Sequence, residues 1–239
     1  MPLRHMTARE RSTTANWQLA SLLAFTAGTV DVCGYLALRQ FSSHMSGTVS
    51  SLAADLAAHR FAILLKPMFV LGCFVAGAAF CAVLVNWERR RNRESLFAVP
   101  VLVEAMLLAS LPLFAGPEHL MVSLAVLGFS MGLQNAIITK VSRAEIRTTH
   151  VTGMITDIGI ELGKLFYWNR TTGRVPVRAE RQRLLLLTVL VGLFFTGGAV
   201  SAILFSRVGF LLMIPVAILL AVPTVVPITA DLRSVAANN

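Results

Sequence analysis

Charged residues are scarce in this 239-residue chain, in which Asp, Glu, Lys and Arg make up only 14%. A soluble domain usually has about 25%. Several stretches have at most one charge over about 20 residues, which is the length that a helix needs to cross the hydrocarbon of a bilayer. Mean hydropathy is +0.71, and 56% of the residues are hydrophobic. The composition therefore excludes an ordinary soluble domain and predicts an integral membrane protein.

Cysteine pairs and the motifs of enzyme chemistry are also lacking. Cys33, Cys73 and Cys81 lie in apolar segments without C-x-x-C spacing, which is typical of packed apolar side chains. The chain has no P-loop, no G-x-S-x-G elbow and no H-E-x-x-H motif. We therefore predict no catalytic residue, no metal, no cofactor and no enzymatic activity. An intramembrane enzyme that uses His44 or His150 with a carboxylate as acid and base is an open alternative.

The net charge of +9 does not indicate a nucleic-acid partner, because the arginines lie between apolar runs, as charges that flank membrane spans do. No segment combines basic and aromatic residues into a nucleic-acid motif. The predicted partner is the lipid bilayer. The first apolar run, from Leu19, is interrupted by Asp31 and lacks an A-x-A cleavage site, so we expect it to be retained as a helix.

Six segments are long and apolar enough to span a bilayer, and two shorter ones are helical in pattern but polar. If neither polar segment crosses and the N-terminus is inside, 17 of the 21 Lys and Arg residues lie in cytoplasmic parts. The bias nearly vanishes if both cross, so the charges favour six spans with both termini cytoplasmic in a bacterial inner membrane. Eight spans are the alternative. The six spans are 17–38, 67–87, 95–114, 120–139, 184–206 and 208–230, and the polar segments are 43–59 and 149–166.

The chain also contains two copies of one pattern. FTAGTVD at 25–31 aligns with FSMGLQN at 129–135, and HMSG at 44–47 aligns with HVTG at 150–153. In each copy an acid, Asp55 or Glu161, follows the last glycine by eight residues. The sequence therefore predicts an all-α polytopic transmembrane bundle with an internal repeat.

The predicted repeats comprise residues 17–114 and 119–230, between a basic cytoplasmic tail, 1–16, and a C-terminal tail, 231–239. Each repeat has three spans, and because three is odd the second copy is inverted in the membrane. Such 3+3 inverted repeats are typical of transporters, whose sites lie near the midplane between interrupted helices.

Polar side chains share one face of each polar helix, His44, Thr48, Ser51 and Asp55 in the first and His150, Asp157 and Glu161 in the second. Each helix either faces a cavity lined by protein or lies flat in the membrane interface. Gly47 and Gly153 leave room for close approach in the first turn. The predicted N-caps are Ser42, Ser43, Thr148 and Thr149.

Acids within apolar spans are costly and usually face a partner or a wet cavity. Asp31 either carries a coupling proton or accepts hydrogen bonds from Gln134 or Asn135, and Arg147 either holds an anion or only flanks the membrane. The predicted solute or ion site comprises Asp31, His44, Ser46, Gly47, Thr48, Gln134, Asn135, Arg147, Thr149, His150, Thr152, Gly153 and Asp157, with Asp55, Glu104 and Glu161 as secondary residues.

TAGTVDVCGYLAL, SSHMSGTVSSLAADLA, MGLQNAIITK and RTTHVTGMITDIGIEL resemble the YoaK family of bacterial integral membrane proteins, over about residues 20–225. The family is a domain of unknown function, so the resemblance implies location and topology and no particular activity. Thr48 departs from the family's usual Asn, which implies a different selectivity if that amide contacts a solute. The family's motif positions here are Gly28, Asp31, Ser46, Gly47, Gly132, Gln134, Asn135, Arg147, Thr148, Thr149, Thr152 and Gly153.

The predicted function is transport of a small solute, by a transporter or permease with a midplane site between the two H-x-[ST]-G helices. A membrane scaffold or regulatory protein without a solute is the alternative. The sequence names neither the solute, nor the coupling ion, nor the oligomeric state.

Overall fold

The computed structural model describes residues 6–8, 12–91, 93–141, 148–168 and 176–237. This part of the chain is helical and has no strand, so the all-α prediction is confirmed. Short 3-10 turns at 111–114, 117–119, 209–212 and 222–224 connect some of the helices. The helices are α1 (Thr13–Leu38), α2 (Met45–Ala57), α3 (Phe61–Arg90), α4 (Ala98–Ser110), α5 (Leu120–Val141), α6 (Val151–Phe166), α7 (Arg181–Val208), α8 (Met213–Ala221) and α9 (Val225–Ala237).

Four helical segments are long and apolar enough to cross a membrane, Thr13–Leu38, Phe61–Arg90, Pro117–Val141 and Arg181–Ser234. The last is 54 residues long, more than twice the length that a bilayer requires. It breaks at Gly209, whose φ of +55° ends α7. Ala98–Phe114 is a shorter apolar helix. The predicted spans 17–38, 67–87 and 120–139 lie within three of these segments, 95–114 overlaps the shorter helix, and 184–206 and 208–230 share the last segment.

The helices extend into both predicted tails. α1 begins at Thr13, inside the predicted tail 1–16, because Ser12 Oγ accepts a hydrogen bond from Ala15 N (3.2 Å) and caps the first turn. α9 continues through the predicted tail 231–239 as far as Ala237. Asp231 holds this helix in place by accepting hydrogen bonds from Glu94 N (3.0 Å) and Ser95 N (2.9 Å) just before α4.

Contacts between distant residues fix the direction of the helices. Thr7 Oγ1 donates to Pro223 O (2.9 Å), and the amides before α4 donate to Asp231. The segments just before α1 and α4 therefore contact the C-terminal part of the chain. We call the side of the bundle where they meet the N-terminal end. At the opposite end, Leu111–Phe114 contacts Gly209–Leu212. Helices α1, α4 and α7 thus run to the opposite end, and α8 and α9 return.

The two polar helices start inside the bundle and run to different ends. Lys66 Nζ donates to Leu38 O (2.6 Å), so the start of α3 lies beside the end of α1, and α2 between them returns to the opposite end. Glu161, late in α6, accepts from Glu180 N (2.8 Å), the residue before α7. Because α7 starts at the N-terminal end, α6 runs to that end.

Each of the four long helices contains an F-x-x-G motif, at 25–28, 74–77, 129–132 and 194–197. These motifs lie at the two most extensive helix contacts, α1 with α7 and α3 with α5. A Cβ atom on Gly28 would lie 1.9 Å from Phe194 O, and one on Gly197 would lie 2.1 Å from Phe25 O. The two motifs therefore contact each other reciprocally, and only glycine allows the backbones to come this close.

The contact between α3 and α5 has the same reciprocal form. A Cβ on Gly132 would lie 1.9 Å from Phe74 O, and one on Gly77 would lie 2.0 Å from Phe129 O. Both contacts join the first helix of one half of the chain to the third helix of the other half. The halves are thereby interlocked, with none of these four close contacts lying within one half.

Replacement of Gly28 by alanine tests this packing. We expect Gly28→Ala to destabilise the protein by about 1–3 kcal/mol, because the new methyl group forces α1 and α7 apart. The matched control is Gly72→Ala in α3, where a Cβ would meet no atom within 4 Å. Thermal unfolding in detergent, followed by circular dichroism, measures both variants. Equal stability of the two variants would refute the close contact.

Candidate functional site

The first turns of α2 and α6 lie at the wall of one cavity, which has a volume of about 500 Å³. Its lining comes from both halves of the chain in matched pairs, five in the register of the repeated pattern and one from equivalent F-x-x-G motifs. The pairs are Asp31 with Asn135, Ser43 with Thr149, His44 with His150, Met45 with Val151, Ser46 with Thr152 and Phe74 with Phe194, and Phe41 completes the lining.

Both polar helices begin at a histidine. His44 O accepts hydrogen bonds from Thr48 N and Thr48 Oγ1 (both 3.1 Å), and His150 O accepts one from Met154 N (3.0 Å). Neither imidazole caps its own helix, and the first-turn amides of a helix have no partner within it. We call the first turn of each polar helix, 44–47 in α2 and 150–153 in α6, its helix mouth. Each helix mouth presents an imidazole, a hydroxyl and backbone N–H groups to the cavity.

The predicted N-caps are wrong, because the residues concerned lie one or two positions before His44 and His150, where the helices begin. Thr148 Oγ1 is buried without a hydrogen-bond partner among the described residues, and the other three have partners outside the helix ends. Asp31 Oδ1 accepts hydrogen bonds from Ser42 N (2.9 Å), Ser43 N (2.8 Å) and Ser42 Oγ (3.3 Å). In the other half, Asn135 Oδ1 accepts one from Thr149 Oγ1. The matched residues Asp31 and Asn135 thus anchor the segment that leads into each polar helix.

This anchoring also corrects the predicted pairing of Asp31 with Gln134 or Asn135. Asn135 Nδ2 donates to Met131 O (2.7 Å) on its own helix. Gln134 is wholly buried and its Nε2 donates to Leu23 O (2.7 Å), which joins α5 to α1. Gln134 therefore belongs to the helix packing, while its neighbour Asn135 lines the cavity.

The acids of the predicted polar faces lie away from the cavity, towards the far ends of α2 and α6. Asp55 forms an ion pair with Arg60 (2.7 Å), the residue before α3. Asp157 pairs with Arg183 of α7 (3.0 Å). Glu161 is buried, and a hydrogen bond from Lys164 (2.7 Å), with a second from Glu180 N, lowers its pKa. These acids tie each polar helix to the helix that follows it.

The remaining predicted residues lie at different positions relative to the cavity. Thr48 is buried behind the first turn of α2, and Gly47 leaves space for the ring of His44, since a Cβ there would lie 2.1 Å from His44 Cδ2. Gly153 has no atom within 4 Å of an ideal Cβ. Glu104 is buried in α4 and does not line the cavity. Arg147 lies outside the described residues.

Sequence reasoning missed the apolar part of the lining, above all Phe74 and Phe194. Both belong to F-x-x-G motifs, whereas the repeated pattern in the sequence analysis includes only the copies in α1 and α5. The repetition of this motif in α3 and α7 was the available signal. Phe41, also missed, stacks on Tyr35 with ring centroids 4.5 Å apart and meets the His44 ring edge-on at 6.4 Å.

The cavity contains hydroxyl, imidazole, amide and carboxylate groups beside aromatic walls. Among the described residues, no group of three or more His, Cys, Asp or Glu side chains could hold a metal ion. The chemistry that these groups provide is hydrogen bonding to a polar molecule.

The apolar helices and their packing define the chain as a multi-pass α-helical membrane protein. The family model described as "Protein of unknown function (DUF1275)" matches residues 19–226, and the chain belongs to this family. It is similar to the UPF0700 transmembrane protein YoaK of Bacillus subtilis (strain 168), with 28% identity over 156 residues that cover 62% of this chain and 68% of that protein. No solved structure matches the chain. The comparisons confirm the resemblance to the YoaK family.

The ion pair at Glu161 predicts a pH-dependent stability. Because its pKa is lowered in the folded protein, its carboxylate stabilises the fold fully above the unfolded value of about 4.3, and this contribution is lost as the pH falls through the folded value. We therefore expect Glu161→Gln to melt at a lower temperature than the wild type at pH 7. Below the pKa of Glu161 in the folded protein, we expect the two proteins to melt at the same temperature.

The matched control is Asp157→Asn on the same helix. Its ion pair with Arg183 is 40% exposed at the acid, and exposed pairs contribute little, so we expect a smaller shift at pH 7. Melting curves between pH 3 and pH 8 measure all three proteins. A difference between Glu161→Gln and the wild type that persists unchanged in acid would contradict the assignment.

Proposed function

We propose that this protein is a transporter or permease for a small polar solute, which binds in the cavity between α2 and α6. The observation that carries the proposal is the meeting of two helix mouths, which belong to helices running to opposite ends of the bundle, at one cavity of about 500 Å³. Small-molecule sites usually have volumes of about 300–1,000 Å³. Interrupted helices that meet at the middle of a bundle are the common form of transporter sites.

The two halves, 17–114 and 119–230, are on this proposal copies of one unit, inserted with opposite orientation. The reciprocal F-x-x-G contacts and the matched lining pairs support a common origin. The distribution of Lys and Arg supports six spans in a bacterial inner membrane with both termini cytoplasmic. Because α2 and α6 return to different ends of the bundle, each is suited to control access from one side.

The solute would be held mainly by the two helix mouths. Ser46 and Thr152 offer hydroxyl groups, and His44 and His150 offer imidazole nitrogens. The first-turn amides add N–H donors at the positive end of each helix dipole. Phe74 and Phe194 would limit the size of the solute, since their rings belong to the helices that the glycine contacts hold closest together.

A scaffold or regulatory role without a solute is the second candidate. The observation that favours it is that Asp31, Asp55, Asp157 and Glu161 all have hydrogen-bonding or ion-pair partners within the protein. The open volume between the helix mouths favours transport instead, because a scaffold gains no stability from an unfilled interface.

Filling the cavity tests the proposal. Thr152→Trp places a large side chain at the mouth of α6, and we expect it to abolish exchange of the solute while the protein stays folded. The control is Thr156→Trp, one turn further along α6, where the side chain is exposed and does not line the cavity.

The assay is counterflow of radiolabelled amino acids, polyols and sugars in proteoliposomes of purified protein. We expect at least one compound to exchange with the wild type and with Thr156→Trp, and none to exchange with Thr152→Trp. Exchange that is equal in the two variants would place the route elsewhere, and no exchange of any compound by the wild type would favour the scaffold.

A further inference from the structure

Glu104 differs from every other buried or half-buried acid in the described part of the chain. Its side chain is fully buried in α4, and neither Oε1 nor Oε2 has a hydrogen-bond partner. The other six have donors, either backbone amides, hydroxyls or basic side chains. They are Asp31, Asp55, Glu88, Asp157, Glu161 and Asp231.

Among the residues that the structure describes, none forms a hydrogen bond or an ion pair with the Glu104 carboxyl group. Helices α3, α5, α8 and α9 pack against α4. Their titratable or charged groups are Lys66 and Cys73 in the first half of α3, the buried Cys81 and the end of α3 from Glu88 onward, Lys140 near the end of α5, and Asp231 and Arg233 on α9, whereas α8 has none. No ion pair joins Lys140 or Arg233 to Glu104, and Asp231 is engaged with the amides before α4.

A carboxylate without donors or a counter-charge is far more costly to bury than a carboxylic acid, so the neutral acid is the form compatible with this packing. Asp31, the residue that the sequence suggested as proton carrier, differs from Glu104 in its partners. Three donors converge on its Oδ1 and hold the segment that leads into α2. Glu104 has no such structural task among the described residues.

We propose that Glu104 is a proton-binding site, separate from the solute cavity, and that its proton is the coupling ion of transport. The coupling part rests on the proposed transport function. Release of the proton breaks the O–H bond, leaves the electron pair on the carboxylate and passes the proton to water.

Glu104 lies well inside α4, away from the N-terminal end of the bundle. Ser95 at the N-terminal end lies nine residues before Glu104, which is about 14 Å along a helix. The release step therefore requires α4 to move relative to α5 or α8, because both carboxyl oxygens are enclosed in the present arrangement.

Infrared spectroscopy of the purified protein in lipid tests the proton site directly. At neutral pH we expect a C=O stretching band of a protonated carboxyl group that shifts in D₂O and on labelling with ¹³C-glutamate but not with ¹³C-aspartate. Glu104→Gln, which keeps the shape without the proton, should remove the band, and the exposed control Glu118→Gln should keep it. Persistence of the band in Glu104→Gln would overturn the proposal. Absence of the band from the wild type would also overturn it, and this result does not depend on whether the variant folds.

Proteoliposomes that contain a pH-sensitive dye test the coupling. With a compound that passes the counterflow assay, we expect the wild type to move protons with the solute, and Glu104→Gln to exchange solute without moving protons. Proton movement that is unchanged in Glu104→Gln would overturn the coupling. If no compound is exchanged, the transport function and the coupling both fail, while the infrared band still decides whether Glu104 binds a proton.

Discussion

The contact of a glycine on one helix with a carbonyl oxygen on another, made four times, is the constraint on which the rest of the structure depends. In each case a Cβ atom at the glycine would lie about 2 Å from that oxygen, so the helices approach as closely as their backbones permit. Because α1 meets α7 and α3 meets α5, all four contacts join the two halves of the chain. Neither half has these contacts alone.

The cavity follows from this arrangement. Phe74 and Phe194, whose carbonyl oxygens meet Gly132 and Gly28, also supply its aromatic walls, so the close helix contacts and the solute-sized volume share residues. Asp31 and Asn135 then hold the entry segments of α2 and α6, which brings the two histidines to the same volume. One set of residues fixes the helices and another fixes the helix mouths, and the proposed site is where the two sets meet.

The sequence predicted the helical class, the two polar helices and seven residues that line the cavity, because hydropathy and a repeated motif are visible without a structure. The seven are Asp31, His44, Ser46, Asn135, Thr149, His150 and Thr152. Helical periodicity also placed Thr48, Asp55 and Asp157 in the site, because they share a face with the histidines. In the structure Thr48 is buried, and the two acids form ion pairs beyond the first turn. It could not find the roles of Gln134 or Phe74, because both depend on which helices touch across the halves. The partner of Asp31 was likewise decided by a chain reversal after α1 that no local pattern specifies.

The central claim is that α2 and α6 return to opposite sides of the membrane, so that the halves are inverted about one cavity. The most direct measurement is a pair of topology reporters, one in the turn at His59 after α2 and one at Pro176 before α7. We expect the two positions to lie on opposite sides, whichever way the whole protein is oriented. Reporters on the same side would mean that α6 crosses the membrane, which would contradict the inverted arrangement and the site built upon it.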